Sequence, residues 1–130
     1  MSSASEELGC SFRRSGDAVV LALSGPVDYT TVQQVCAALE RAFADRSSRA
    51  VVLDLSEVDF LGSAGIGALV DAAKAQGDDV LLRVVVDRTR PVIRPIQLTG
   101  LDTVLALYRA REDAVRDVHR WTGTSSETPS

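Results

Sequence analysis

The residue with the clearest chemical potential is Ser63, the one hydroxyl in the run GSAG at residues 62–65. A β-branched apolar run at residues 50–55 precedes it, and apolar residues at helical spacing follow from Ile66. This pattern predicts that Ser63 lies at a turn between a buried strand and a helix. A serine in such a turn has four possible roles: nucleophile, part of a phosphate-binding loop, acceptor of a phosphoryl group, or cap of the helix.

A nucleophilic role finds little support in the sequence. The nucleophile elbow of serine hydrolases needs Gly-x-Ser-x-Gly, whereas here Gly62 directly precedes the serine. Activation of a serine also needs a base. The single histidine, His119, belongs to a polar predicted helix near the C-terminus, and Lys74 lies three turns along the exposed face of the helix that follows Ser63. The sequence therefore predicts that the protein is not an enzyme.

A cofactor or metal site is not indicated either. The glycines give the spacing G-x-x-G-x-G, which matches neither the P-loop nor the dinucleotide fingerprint, although a glycine-rich turn into a helix does present N–H groups to anions. Asp54, Glu57 and Asp59 lie just before the turn without a His or Cys beside them, and each is expected to face water. We therefore expect no cofactor and no metal.

Two compatible roles remain for Ser63. Serine is among the best helix N-caps, because its oxygen accepts a hydrogen bond from an N–H two or three residues on. A phosphoryl group on the same oxygen adds close to two negative charges at neutral pH. The positive end of a helix dipole tolerates this charge. Phosphorylation is thus expected to leave the fold intact and to change the surface offered to a partner.

The elements that must position Ser63 follow from the hydrophobic pattern. Strands are predicted at residues 10–14, 18–23, 50–55, 80–86 and 104–108, and helices from Val32 to about residue 45, from Ile66 to Gly77, and at residues 91–98 and 111–121. The Ser-Gly-Pro segment at residues 24–26 is expected to end the second strand, and Asp28 or Thr30 to cap the first helix. This order predicts a single α/β domain, with a mixed, mostly parallel sheet of about five strands packed against about four helices.

Composition is consistent with one soluble domain. The 130 residues are 45% hydrophobic and 25% charged, and the net charge of −4 without a basic stripe argues against a nucleic-acid partner. No segment is apolar enough for a signal peptide or a membrane span, so we expect a cytoplasmic protein with no membrane partner. Residues 1–8 and 122–130 are expected to be disordered around a domain at residues 9–121. Cys36 is expected to be a reduced thiol in the core.

Three stretches resemble the STAS domain family, and in particular its bacterial anti-sigma factor antagonists. The run AVVLDLSEVDFLGSAGIGALVDA at residues 50–72 is similar to the family's strand, serine-bearing turn and helix. LSGPVD at residues 23–28 is similar to the segment before the family's first helix, and IQLTGLD at residues 96–102 to its L-x-L-T-G-L-D. Together the likeness spans roughly residues 10–118.

The resemblance implies a function and a set of partners. Antagonists of this kind bind an anti-sigma factor that is also a serine kinase of the histidine-kinase-like ATPase fold, and this frees a sigma factor. The kinase phosphorylates a serine of the antagonist, which weakens the complex, and a phosphatase reverses the step. Ser63 matches the phosphoacceptor. The implied partner surface comprises Asp28, Tyr29, Thr30, Gly62, Ser63, Ala64, Gly65 and Gly67.

Two positions of the turn depart from the family pattern. Gly62 stands where Asp is usual, and Ala64 where Ser or Thr is usual, so Ser63 is the only acceptor hydroxyl in the turn. The alternative interpretation is a constitutive STAS scaffold, or a subunit of a stress-signalling or lipid-transport assembly, in which Ser63 is only a helix cap.

Overall fold

The computed structural model describes residues 8–45, 49–75, 81–87, 89, 92–103 and 105–116, and within them strands and helices follow the predicted order. The strands are β1 (Gly9–Ser15), β2 (Ala18–Val27), β3 (Ala50–Leu61), β4 (Leu81–Val85) and β5 (Ala106–Tyr108). The helices are α1 (Val32–Phe43), α2 (Ser63–Ala75), α3 (Ile93–Leu98) and α4 (Arg111–Arg116), with a short 3-10 helix at Leu101–Thr103.

The five strands form one sheet in the order β1-β2-β3-β4-β5. β1 pairs antiparallel with β2, and the other neighbours pair in parallel, which confirms the predicted mixed, mostly parallel sheet. The crossover helices α1, α2 and α3 contribute Val35, Leu69 and Ile96 to one buried cluster. Because crossovers of the same hand on one face place each new strand beside the last, the strand order repeats the chain order.

Alternate residues of the parallel strands face the two sides of the sheet. Leu21 and Leu53 belong to the cluster under α1, α2 and α3, whereas their neighbours Val20 and Val52 pack in a smaller cluster with Ala114 of α4. Side chains of a strand alternate between faces, so a sheet covered on both sides needs apolar residues at every position. This burial explains why β2 and β3 begin as continuous apolar runs.

β2 and β3 are longer than the sequence predicted. β2 does not end at the Ser-Gly-Pro segment but continues to Val27, and β3 continues past residue 55 to Leu61. The two strands pair along the added length with two register shifts, one of them between Gly25 and Pro26. Gly25 has φ 92°, a conformation that glycine adopts without strain, and such irregularities also tolerate a proline. The polar residues in the second half of β3 had suggested a loop.

The buried side of α2 is not formed by its largest apolar residues alone. Ala68, Leu69 and Ala72 are buried, whereas Ile66 and Val70 are only half-buried. Two of the three buried side chains of this helix are therefore alanines. Its two charged residues, Asp71 and Lys74, are exposed, as predicted for Lys74.

Several predicted boundaries can be compared with the structure. Pro95 lies in the first turn of α3, where the backbone N–H groups have no partner within the helix, and Gly100 (φ 77°) follows the helix end. Leu8 is buried in the core, although it was assigned to the N-terminal segment. Gly77, Val104, the end of the last predicted helix and both predicted tails (apart from Leu8) lie outside the described residues. In the described ranges no helix has the length and apolar character needed to cross a membrane.

An ion pair with a buried carboxylate and a half-buried arginine connects β3 to α4. Asp54 is 4% exposed, so the prediction that it faces water is wrong. Its Oδ2 accepts hydrogen bonds from Nε and Nη2 of Arg111, at 2.9 and 2.8 Å. Its Oδ1 accepts from the backbone N–H and the hydroxyl of Ser56, at 2.9 and 2.6 Å. Both carboxylate oxygens are therefore satisfied, which makes the buried charge tolerable.

Arg111→Met is expected to destabilise the domain by roughly 2 kcal/mol, because it leaves the buried Asp54 charge without its cation, while the 37% exposure of the arginine side chain lets solvent screen part of the loss. Arg14→Met is the matched control, since the Arg14–Asp45 pair has the same 2.8 Å separation but its carboxylate is 35% exposed. Loss of this control pair is expected to change stability by about 0.5 kcal/mol. Urea unfolding of the two variants measures the difference, and equal losses would contradict a structural role for the Asp54–Arg111 pair.

Candidate functional site

The site lies where β2 and β3 end side by side. Val27 and Leu61 are register partners in the parallel pair, and the N–H of Gly62 donates to the carbonyl of Val27 at 2.9 Å. The chain then leaves β2 through residues 28–31 into α1 and leaves β3 directly into α2. The structure thus brings together two turns that are 34 residues apart in the sequence, as the predicted partner surface requires.

Ser63 is the first residue of α2 and is exposed. The N–H of Ile66 donates to the carbonyl of Gly62 at 3.0 Å, so Gly62 occupies the capping position and not Ser63. Within the described part of the chain, the Ser63 hydroxyl makes no hydrogen bond. The prediction that this side chain caps the helix is therefore wrong, and the hydroxyl is available to another molecule.

Gly65 fixes the position of the helix start. A Cβ at this position would lie 2.6 Å from Cδ1 of Leu61 and 2.7 Å from Cγ1 of Val27. Gly65 is buried, so it belongs to the packing beneath the site and not to the exposed partner surface on which the sequence had placed it. Gly67 differs, because it is exposed and a Cβ there would meet nothing within 4 Å.

The neighbouring turn is closed by Asp28. Its Oδ1 accepts from the N–H of Thr30 at 2.9 Å, the hydroxyl of Thr30 at 2.6 Å and the N–H of Thr31 at 3.2 Å. In return, Oγ1 of Thr31 accepts from the N–H of Asp28 at 3.0 Å and donates to the carbonyl of Pro26 at 3.0 Å. This reciprocal pair of hydrogen bonds closes the turn directly before α1. The N-cap of α1 is Thr31, which makes no side-chain capping hydrogen bond, so the prediction that Asp28 or Thr30 caps the helix is wrong.

The hydrogen bonds of this turn also change the acidity of Asp28. The hydroxyl of Thr30, followed by the backbone N–H groups of Thr30 and Thr31, holds the pKa of the carboxyl below its ordinary value, because each donor favours the charged form. At neutral pH the turn beside Ser63 therefore carries a fixed negative charge with an ordered backbone.

Two exposed aromatic side chains flank the junction. Tyr29 is 81% exposed and Phe60 is 51% exposed. A Cβ on Gly62 would lie 3.0 Å from Cε2 of Phe60, so the ring lies over the position where the family usually carries Asp. Phe60 was not among the predicted site residues. It is an aromatic residue within a polar stretch, and its place in the site depends on the continuation of β3 to Leu61.

The electrostatics of the helix start favour an anion. The first turn of α2 holds no acidic side chain. The N–H groups of its first residues have no acceptor within the helix and carry the positive end of the helix dipole. In the described ranges no three His, Cys, Asp or Glu side chains are grouped as metal ligands would be. The arrangement can accept a phosphoryl group or bind a partner surface.

Comparisons with known proteins converge on one family. Residues 10–114 match the model of the STAS domain. The chain is 36% identical over 99 residues to the anti-sigma-F factor antagonist RsfB of Mycobacterium tuberculosis, covering 76% of this chain and 80% of that protein. The crystal structure of an anti-sigma factor antagonist from Mycobacterium paratuberculosis has a TM-score of 0.80 at 33% identity, covering 89% of this chain and 97% of the other. The matched region includes both turns and Ser63.

Gly65→Ala is expected to destabilise the domain by about 1 to 3 kcal/mol, because the β-branched side chain of Val27 cannot easily move away from the added methyl group. Gly67→Ala, two residues along the same helix, is expected to stabilise it by up to about 1 kcal/mol, since alanine is the better helix former and has open space. Denaturant unfolding of the pair tests this assignment. Equal shifts of the same sign would mean that Gly65 is not a packing residue.

Asp28→Ala is expected to lower the melting temperature at pH 7. Asp28→Asn keeps an acceptor oxygen and is expected to lower the melting temperature less. A pKa that is lower in the folded state stabilises the fold above the unfolded pKa of about 3.9, and this contribution is lost as the pH falls through the folded value. The difference in melting temperature between wild type and Asp28→Ala should therefore be constant from about pH 5 to 7 and should shrink below about pH 4. A difference that grows on acidification would contradict the role of the Asp28 carboxylate in closing this turn.

Proposed function

Because this chain belongs to the STAS domain family, we propose that it is an anti-sigma factor antagonist whose binding to the anti-sigma factor is switched off by phosphorylation of Ser63. The naming of its 36% identical relative as an anti-sigma-F factor antagonist supports the antagonist role. The single observation that carries the switch is the exposed Ser63 hydroxyl, which has no hydrogen bond in the described part of the chain and stands at the start of a 13-residue helix.

The helix start explains why a phosphoryl group leaves the fold intact. Close to two negative charges are added at a helix N-terminus, where free N–H groups and the dipole stabilise them. No acidic residue in the first turn of α2 opposes them. Since the unmodified hydroxyl holds no internal hydrogen bond, its modification breaks none.

The same charge disrupts a partner contact. The proposed contact surface consists of Asp28, Tyr29 and Thr30 on one turn together with Gly62, Ser63, Ala64 and Gly67 on the other, and the exposed ring of Phe60 lies against Gly62. Exposed aromatic residues such as Tyr29 and Phe60 are frequent anchors of protein interfaces. Burying a phosphoryl group beside them without a matched cation carries a large desolvation penalty, so the modified protein dissociates.

The partners follow from the family resemblance. The anti-sigma factor is a serine kinase of the histidine-kinase-like ATPase fold, and it acts on Ser63 within the complex. A phosphatase restores the binding form. In this scheme the chain is a binding module in the cytoplasm and is not itself an enzyme.

The test is an affinity purification from the native host with tagged Ser63→Ala and Ser63→Glu proteins, followed by identification of the partners by mass spectrometry. A kinase-fold anti-sigma factor should be retained by the Ala form and reduced about tenfold or more on the Glu form. The melting temperature of Ser63→Glu should equal or slightly exceed that of wild type, because a carboxylate in the first helical turn is favourable.

Ser11→Glu is the matched control, since it adds the same charge at an exposed position on the edge strand β1. It should retain the partner as wild type does. Equal recovery by the Ala and Glu forms would overturn the switch and favour a constitutive STAS scaffold. In wild-type protein purified in parallel, phosphate on another residue and none on Ser63 would overturn the assignment of the acceptor.

A further inference from the structure

An open apolar groove runs between α1 and α2. Its volume is about 470 Å³, and its walls include Leu39 and Phe43 of α1 and Ala68 and Ala72 of α2. The two alanines are one helical turn apart and too short to fill the space opposite Phe43. No other segment of the described chain contributes to the walls of the groove.

Two carboxylates stand on opposite sides of this groove. Glu40 belongs to α1 and Asp71 to α2, and both line the groove and are exposed. Neither forms an ion pair with any residue of the described ranges. An apolar floor between two unpaired acids is complementary to an apolar side chain that is accompanied by a cation.

The groove continues the surface that carries Ser63. Along α2 the exposed residues Ser63, Gly67 and Asp71 follow one another at intervals of four, so they lie on one face of the helix, one turn apart. Gly67 is disfavoured inside a helix, and unlike Gly65 it has no neighbour that would exclude a side chain. A glycine that the fold does not need leaves room for another backbone to approach between Ser63 and the groove.

We propose that this groove seats an apolar side chain of the anti-sigma factor that stands next to a Lys or Arg, in one contact that runs from Ser63 over Gly67 to Asp71 and Glu40. The inference rests on the proposed function and deepens it, since it assigns the chemistry of the partner. Seated in this way, the apolar side chain loses its contact with water, and the cation pairs with the carboxylates at the rim. The partner is thereby held at two points, of which only the serine end is modified by the kinase.

The test uses the kinase-fold anti-sigma factor that the Ser63→Ala form retains, purified and titrated against variants by calorimetry. Glu40→Lys with Asp71→Lys should weaken binding about tenfold or more and reduce its dependence on salt, since like charges would then face each other. Asp17→Lys with Glu112→Lys is the control, because it changes the net charge equally at two exposed positions outside the groove. It should bind within about twofold of the reference.

A second pair of variants tests the approach over Gly67. Gly67→Leu should weaken binding about tenfold without lowering the melting temperature, because the side chain enters open space on this protein and collides only with the partner. Ala37→Leu adds similar bulk at an exposed position of α1 outside the groove and should leave binding unchanged.

The outcomes separate this inference from the function on which it rests. If the Glu40/Asp71 reversal and Gly67→Leu both leave the affinity unchanged while Ser63→Glu abolishes binding, the groove is not the binding site, but the switch at Ser63 is supported. If these groove variants bind weakly while Ser63→Glu binds fully, the groove is supported and the switch at Ser63 is overturned. A wild-type dimer that the Glu40 and Asp71 reversals convert to a monomer would assign the groove to a second copy and overturn the inference. Recovery of no kinase-fold anti-sigma factor would overturn both.

Discussion

The close approach of α2 to the ends of β2 and β3 is the constraint on which the site depends. Only a glycine fits at position 65, because any Cβ would meet Val27 and Leu61 at less than 3 Å. This contact places the helix start against the strand ends, and Ser63 is then directed to solvent by its position two residues earlier. The serine is therefore exposed as a consequence of packing, and not because the turn lacks order.

The extension of β2 and β3 beyond their apolar runs also determines where the site lies. Two register shifts interrupt the pairing, which continues to Val27 and Leu61. Irregularities of this kind bend a strand and change the direction in which the chain leaves it. Asp54, held by Ser56 and Arg111, lies where the first register shift begins.

The site is a surface whose charge a phosphoryl group can change. The helix start has unpaired N–H groups and no acidic residue in its first turn, while the adjacent turn has a carboxylate whose donors are supplied by Thr30 and Thr31. The first arrangement tolerates a new anion, and the second keeps its own charge at every pH above the ordinary range of aspartate. A phosphoryl group thus changes the potential of the surface without competing for an existing hydrogen bond.

The sequence by itself determined the order of elements, the mixed sheet and the location of Ser63 at a strand-to-helix turn, because these follow from short-range periodicity and from a motif that the STAS match confirms. Tertiary structure decided the rest. The length of β3 depended on its pairing with β2, and the burial of Asp54 depended on an arginine 57 residues away. Gly65 and Gly67 have different roles because Val27 lies against Gly65 and not against Gly67. Contacts between residues distant in the chain leave no periodic signal, so only the folded arrangement could separate a packing glycine from an exposed one.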